Sequence, residues 1–381
     1  MQTLDNQIDT NKKTFHHPDP VEQSVIAQWL FADVLPWQQS TWQYLTRHTD
    51  RLPHAMLFAG NAGTGKRAFV YRFVAWLLCQ QKHSDPHNMA SACGTCDSCQ
   101  WLIAGNHPNL YQLPKPSTPA SYTGTKINPS KSKSPSQPIA QAPSHQPTMS
   151  IKIDDIRALQ PFVVQSSAGL RIVVIHQADA MTVAASNALL KTLEEPAENV
   201  IICLISDSPS QLLPTIRSRL QAFSVSHVTP QQSLALMQKY LPQTASSTLE
   251  QASSLSGYAP FVALQMLDSE WYQHRQTWIN SWQAVRSHQR TPLQASDYWQ
   301  RTLALTDFLY LSQSLLVIIS QFIMGLAAPP TDIDIKKLHP LPELRKIQHI
   351  QQTITQIWQD RQQHIQDKLC YDKIFSTMKM I

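Results

Sequence analysis

Apolar residues fall into order along this chain only from Phe31; the first 31 residues are polar and predict a loose tail. Gln38 to His48 carries Trp42 and Leu45 at helical spacing. Ala55 to Ala59 is a short apolar run ending at Gly60, the pattern of a buried parallel strand feeding a loop. Arg67 to Leu78 returns to helical spacing, with Phe69, Phe73, Val74, Leu77 and Leu78 on its apolar side. Further on, Ile153 to Val164 and Val183 to Leu193 predict helices. Arg171 to Ile175, Val200 to Ile205 and Leu220 to Val225 predict strands. Strands alternating with helices imply a parallel α/β sheet.

Two stretches break this rhythm. Pro114 to Thr148 holds eight prolines, four lysines and no acidic residue. Such a segment cannot bury enough apolar surface to order itself, so 114–148 is expected to be a disordered insertion with no assigned function. After His227 the strand pattern stops. Residues 229–268 predict a small helical domain. Residues 269–381, rich in Gln, Leu and Ile with tryptophans at 271, 278, 282, 299 and 358, predict a helical bundle. There is no internal repeat. Leu303 to Ala328 comes nearest to a membrane span. It includes Asp307, Gln313 and Gln321, and a buried core helix is the expectation.

Composition sharpens the picture in two places. At 381 residues, 42% of them hydrophobic, the chain can build two or three domains with real cores. A net charge of +5 permits contact with nucleic acid without demanding it. Of six cysteines, three lie within seven residues, and Cys203 sits inside an apolar run. That argues for a metal cluster in a reducing compartment rather than a disulfide framework. No export signal is evident in the polar N-terminus, and a cytoplasmic protein is expected.

Four groups of residues carry candidate chemistry. Gly60-Asn61-Ala62-Gly63-Thr64-Gly65-Lys66-Arg67 fits G-x-x-x-x-G-K between a strand and a helix. Glycines there let backbone N–H groups converge on phosphate at a helix N-terminus, and Lys66 would reach the outer phosphates. The next residue should offer a hydroxyl to magnesium, but Arg67 cannot. The bland alternative is a tight strand-to-helix turn, and ATP or ADP binding stays open. The strand Arg171 to Ile175 should be followed by the acidic pair that holds magnesium and orients water, but His176-Gln177 follow it. Asp179 lies further on and is expected to cap the next helix. Two losses at one metal site argue against hydrolysis.

Cys79, Cys93, Cys96 and Cys99 have the spacing of a structural zinc site with no open position. An iron–sulfur cluster is the rival, and His83 or His87 could replace Cys79. Last, Ser218-Arg219 follows a short turn past the strand Val200 to Ile205, where on spacing alone it is a surface arginine.

The order of P-loop, cysteines, NALLKTLEEP (Asn187 to Pro196) and RSR (Arg217 to Arg219) resembles the bacterial clamp-loader ATPase family of tau/gamma and delta-prime subunits. LPHAMLFAG (Leu52 to Gly60) and IKIDDIRAL (Ile151 to Leu159) look like its delta-prime branch, which keeps the AAA+ fold and zinc module with a decayed ATP site. The resemblance covers roughly Phe31 to Val228. It implies an α/β AAA+ P-loop domain over 32–228 with a zinc module at 79–99, a small helical lid at 229–268 and an all-α collar at 269–381.

The resemblance further implies a subunit of a five-membered ring with tau/gamma and delta, which opens the sliding clamp and places it on primed DNA as part of the DNA polymerase III holoenzyme. No membrane is involved. Arg219 would reach a neighbour's ATP site as a trans-acting finger, with Arg217 as its nearby decoy. The family's Ser-Arg-Cys motif stands here as Ser218-Arg219-Leu220, and Ser256 to Pro260 lacks the arginine with which ATP-using relatives sense phosphate. An active tau/gamma-type ATPase and a zinc-dependent nucleic-acid-binding module are the alternatives. Arg67 and His176-Gln177 argue against the first. The modest charge and the absence of aromatic-basic stripes argue against the second.

Overall fold

The computed structural model describes residues 23–83, 90–115, 150–164, 169–326, 332–333, 341–360 and 366–379. Most of the N-terminal stretch and of the Pro/Ser-rich stretch, and His87, lie outside the described residues. The chain divides into two compact units, one running to Gln232 and the other from Ser233.

The first unit begins with α1 (Gln23–Leu30), α2 (Gln39–Arg47), β1 (Ala55–Ala59) and α3 (Lys66–Leu78). It continues with α4 (Asp97–Ala104), β2 (Leu110–Leu113), α5 (Ile153–Val164) and β3 (Arg171–Ile175). Then come α6 (Val183–Glu194), β4 (Val200–Ser206), α7 (Pro214–Arg217), β5 (Gln221–Ser224) and the start of α8 (Pro230–Tyr240). The five strands form one parallel sheet in the order β2-β3-β4-β1-β5.

Along each central strand alternate side chains enter opposite layers, as the two-residue period of a strand requires. Met56, Phe58, Ile201, Cys203 and Ile205 join one apolar cluster with α1 and α3. Leu57, Val173, Ile202 and Leu204 join the other with α5 and α6. Both faces are therefore covered, which is why these strands read as unbroken apolar runs. Burial pushes the Cys203 thiol up to about 12, so it stays protonated in the core.

Three departures from the sequence reading matter. The tail does not run to residue 31: α1 begins at Gln23, and Ile26 and Leu30, one turn apart, are buried against α3. β2 was not foreseen, because Leu110–Leu113 is an edge strand of four residues containing Gln112. Nor was α4, which starts inside the cysteine segment.

The second unit is helical. α8 is followed by α9 (Ser246–Leu255), α10 (Pro260–Asp268), α11 (Glu270–Gln273) and α12 (Arg275–Arg286). α13 (Pro292–Thr302), α14 (Leu305–Ile323), α15 (Leu344–Asp360) and α16 (Asp367–Met378) complete it. One apolar cluster joins Met237, Leu249, Ala252, Ala263, Leu264 and Met266 of α8 to α10. A larger one gathers Trp278, Trp282, Trp299, Phe308 and Phe375 with the isoleucine stripe of α15. α14 is long and apolar enough by length and composition to cross a membrane. Its Phe308, Leu311, Leu315 and Ile319 are buried within this cluster.

Candidate functional site

In a parallel sheet the residues that leave the strand ends collect along one edge. Here that edge gathers Gly60 after β1, His176 after β3 and Asp207 after β4. The loop Gly60 to Lys66 is built to stay open at its backbone. Gly60 adopts φ +146°, and a Cβ there would sit 1.6 Å from Ser226 Oγ, so only glycine passes. Gly65 caps α3 at φ +83°, in the left-handed region that glycine enters without strain. Trp37 Nε1 and Gln38 Nε2 donate to the Thr64 carbonyl at 3.0 and 3.3 Å, and Thr64 Oγ1 donates to the Asn61 carbonyl at 3.0 Å.

Lys66 turns back into this loop. Its Nζ donates to the Asn61 carbonyl at 2.9 Å and forms an ion pair with the Asp207 carboxylate. The side chain is only 3% exposed. Burial lowers its pKa, while the Asp207 charge opposes that shift. Arg67, the second residue of α3, has no hydroxyl for a metal, and its charge reaches Tyr71 and His176.

At the end of β3 the expected carboxylate is replaced by a sealed neutral group. His176 Nε2 lies 2.6 Å from Tyr71 Oη, and the two rings stack at 5.2 Å. Tyr71 donates to Gln112 Oε1, so Nε2 carries the imidazole proton and donates to the phenol oxygen. Burial, then the Arg67 charge, pushes His176 down to about 3. Asp179 does not cap the following helix. Thr182 does so, accepting from the Ala185 N–H at 3.1 Å. Asp179 Oδ1 instead accepts the Asp207 N–H at 3.2 Å.

The depressed His176 has a consequence for stability. Unfolded imidazole titrates near about 6.5. Below that pH the unfolded chain binds a proton that the folded chain refuses, so stability falls as pH drops from about 6.5 toward 3. His176→Gln is expected to flatten this limb of the stability curve in urea titrations at several pH values. Equal slopes in variant and wild type would remove the imidazole from the account.

The four cysteines meet. Cys79 ends α3, Cys96 caps α4, and Cys99 lies in the first turn of α4. All four sulfurs lie within 4.8 Å of one another. Cys79 Sγ is 3.5 Å from Cys93 Sγ and 3.9 Å from Cys96 Sγ, and Cys93 Sγ is 3.9 Å from Cys99 Sγ. A tetrahedron with metal–sulfur bonds of about 2.3 Å has edges of about 3.8 Å, so the spacing fits a four-thiolate metal. The N–H groups of Thr95 and Cys96 hold the Cys93 thiol down to about 5, whereas burial pushes the Cys79 and Cys99 thiols up, so the sulfur spacing rather than their titration is what fits a metal. His83 pairs its backbone with Ser91 and stands outside this group.

Arg219 follows α7 on the surface. Its Nη2 is 2.6 Å from Glu194 Oε1 of α6, and its Nη1 donates to the Thr215 carbonyl at 2.9 Å and to Ser218 Oγ at 3.3 Å. Leu220, which stands where the family's motif has cysteine, packs against the α6–α7 cluster. Arg217 is exposed, and its side chain makes no ion pair among the described residues. Tyr71, Gln112, Glu194 and Asp207 escaped the sequence reading. Asp207 had a usable signal, since it directly follows a predicted strand of a parallel sheet.

With this geometry in view, the sequence profile described as "DNA polymerase III, delta subunit" matches residues 37–229. The chain belongs to this family. The DNA polymerase III subunit delta' of Pseudomonas aeruginosa is 36% identical over 237 residues, covering 62% of this chain and 62% of that protein. This chain thus spans less than two thirds of that relative. The DNA polymerase III subunit gamma/tau of Mycobacterium tuberculosis H37Rv is 29% identical over 195 residues, 51% of this chain and 28% of that protein. A crystal structure of a DNA polymerase III gamma subunit-related protein from Thermotoga maritima aligns over 89% of this chain and 98% of its own, at 18% identity. Its TM-score of 0.37 is too low to bear on the fold.

Proposed function

We propose that this chain is the non-hydrolysing delta-prime subunit of a bacterial clamp loader. In this role it joins tau/gamma and delta in a five-membered ring in the cytoplasm, where the ring loads the sliding clamp onto primed DNA. The observation that carries the reading is the ATP-site edge of the family's domain. There a sealed, neutral His176 and Arg67 stand where a metal-dependent ATPase needs a carboxylate and a hydroxyl. Within this reading α8 to α10 form the lid, and α11 to α16 form the collar that joins the ring.

Cys79, Cys93, Cys96 and Cys99 hold one structural Zn2+, since four soft thiolates at tetrahedral spacing leave no position open for catalysis. Arg219 serves as a finger for the adjacent tau/gamma subunit. Its exposed, always-charged fork sits at the position of the family's Ser-Arg motif. The gamma/tau relative makes an active ATPase the rival reading, but such a chain would need magnesium ligands at Arg67 and His176 that these residues cannot supply.

Reconstitution tests this. The chain is expected to co-purify with tau/gamma and delta as one complex, and alone to hydrolyse no ATP above background. Failure to join the complex, or steady turnover by the isolated chain that Lys66→Ala abolishes, would refute the assignment.

A further inference from the structure

The glycine loop of this chain keeps the backbone shape of a phosphate cradle, yet its lysine is already committed. We propose that Asp207 acts as a resident anion in the P-loop, occupying Lys66 in place of phosphate, so that the chain excludes nucleoside polyphosphates by internal ion pairing while the cradle itself persists. The proposal rests on reading Gly60 to Lys66 as a decayed ATP site, and it adds the group that closes that site.

Three observations converge. The first is position. β1 and β4 are paired with Ala59 opposite Ser206, so Gly60 and Asp207 are the next residues out on adjacent strands. The Gly60 N–H donates to the Ser206 carbonyl at 3.2 Å, which fixes the start of the loop beside the carboxylate. The second is commitment. Two of the three donors of the Lys66 ammonium are taken, one by the Asn61 carbonyl and one by Asp207, and the side chain is 3% exposed. One donor is left, so a phosphate would have to share this ammonium with the carboxylate or displace it.

The third is charge. The Asp207 backbone is itself anchored, its N–H donating to Asp179 Oδ1 at 3.2 Å, and the Asp179 charge is felt at Lys66. The charged groups facing the ammonium are thus Asp207, Asp179 and Arg67. The two carboxylates thus offset the two cations, Lys66 and Arg67, that would otherwise draw in a polyphosphate. Magnesium, which would screen that repulsion in a working site, finds neither a hydroxyl at Arg67 nor a carboxylate at His176.

The loop has not collapsed to match this arrangement. Gly63 at φ +71° and Gly65 at φ +83° keep the left-handed conformations of an anion-binding turn at the N-terminus of the thirteen-residue α3. Removing the carboxylate should therefore uncover a usable site.

The test is calorimetric titration of the full chain with ATP and with ADP, each with magnesium. Wild type is expected to show no saturable binding at millimolar nucleotide. Asp207→Asn, which keeps the shape and removes the charge, is expected to bind ATP at least about tenfold more tightly than wild type. Adding Lys66→Ala to Asp207→Asn should abolish the gain. Asp207→Ser serves as a second variant, and thermal melting confirms that each is folded. Wild type binding as tightly as Asp207→Asn would overturn the proposal. So would folded Asp207→Asn and Asp207→Ser that both remain without binding. Neither result touches the subunit assignment, which is decided by co-purification and by ATP turnover of the isolated chain.

Discussion

Rings carrying Arg219→Ala are expected to assemble normally, yet to lose hydrolysis at the neighbouring ATP site by ~10³, with clamp loading slowed accordingly. The physical reason is the charge that builds on the γ-phosphate oxygens during transfer. A guanidinium from the adjacent subunit meets it with a planar fork that never deprotonates. In this chain the fork is held ready without being locked. Glu194 takes one end, and the Thr215 carbonyl takes the other. Both partners of the ion pair are well exposed, and such pairs contribute roughly 1 kcal/mol or less, so a phosphate can outcompete Glu194. Removing the side chain leaves the α6–α7 core intact, because the residue of α7 that fills this core is Ile216, which is fully buried. Arg217→Ala is the control and should do much less. Single-turnover hydrolysis and clamp-loading rates on reconstituted rings decide the matter; wild-type rates from Arg219→Ala rings would return this residue to the ordinary surface.

Stripping the metal should be as damaging, in a different place. Elemental analysis is expected to give one zinc per chain, and Cys99→Ser, at a fully buried ligand, should bring the content well below that. Metal binding at structural sites couples to folding with apparent energies on the order of 10 kcal/mol, so the module should unfold locally when zinc leaves. Besides the sulfurs, Leu102 of α4 is buried in the cluster of α1 and α3, which holds the far end of that helix. Ser98 Oγ donates to the Leu78 carbonyl at 2.7 Å, and Trp42 Nε1 donates to the Ala90 carbonyl at 3.1 Å. Hydrogen exchange should rise across 90–99 on chelation while β1, β3 and β4 stay protected. Full protection across 90–99 in metal-free protein, or iron in place of zinc, would sink the assignment.

The strands that the sequence revealed are those buried on both faces. AMLFA, RIVVI and VIICLI are unbroken apolar runs because helices cover each side of the sheet. β2 hid because an edge strand needs fewer apolar residues, and its Gln112 faces a polar network instead of the core. α1 hid because it is only eight residues long and directly follows a polar stretch. The candidate site was legible wherever chemistry follows residue order: the glycine loop, the cysteine spacing and the absent acidic pair. It was illegible where two distant segments supply one contact. Lys66 and Asp207 are 141 residues apart, and only the sheet order makes them neighbours. Asp179 was misassigned for the same reason. Local spacing offered it a helix to cap, whereas the fold offered it the Asp207 N–H.

The Tyr71–His176–Gln112 network also bears on how this site could change over time. Placing an aspartate at position 176 by one substitution would not create a magnesium ligand. The shorter carboxylate would sit in a buried pocket shaped for an imidazole, beside a phenol already donating to Gln112, and would meet a heavy desolvation cost. Arg67 would still lack the hydroxyl that shares the metal. A magnesium pair at this site would thus need changes at both 67 and 176.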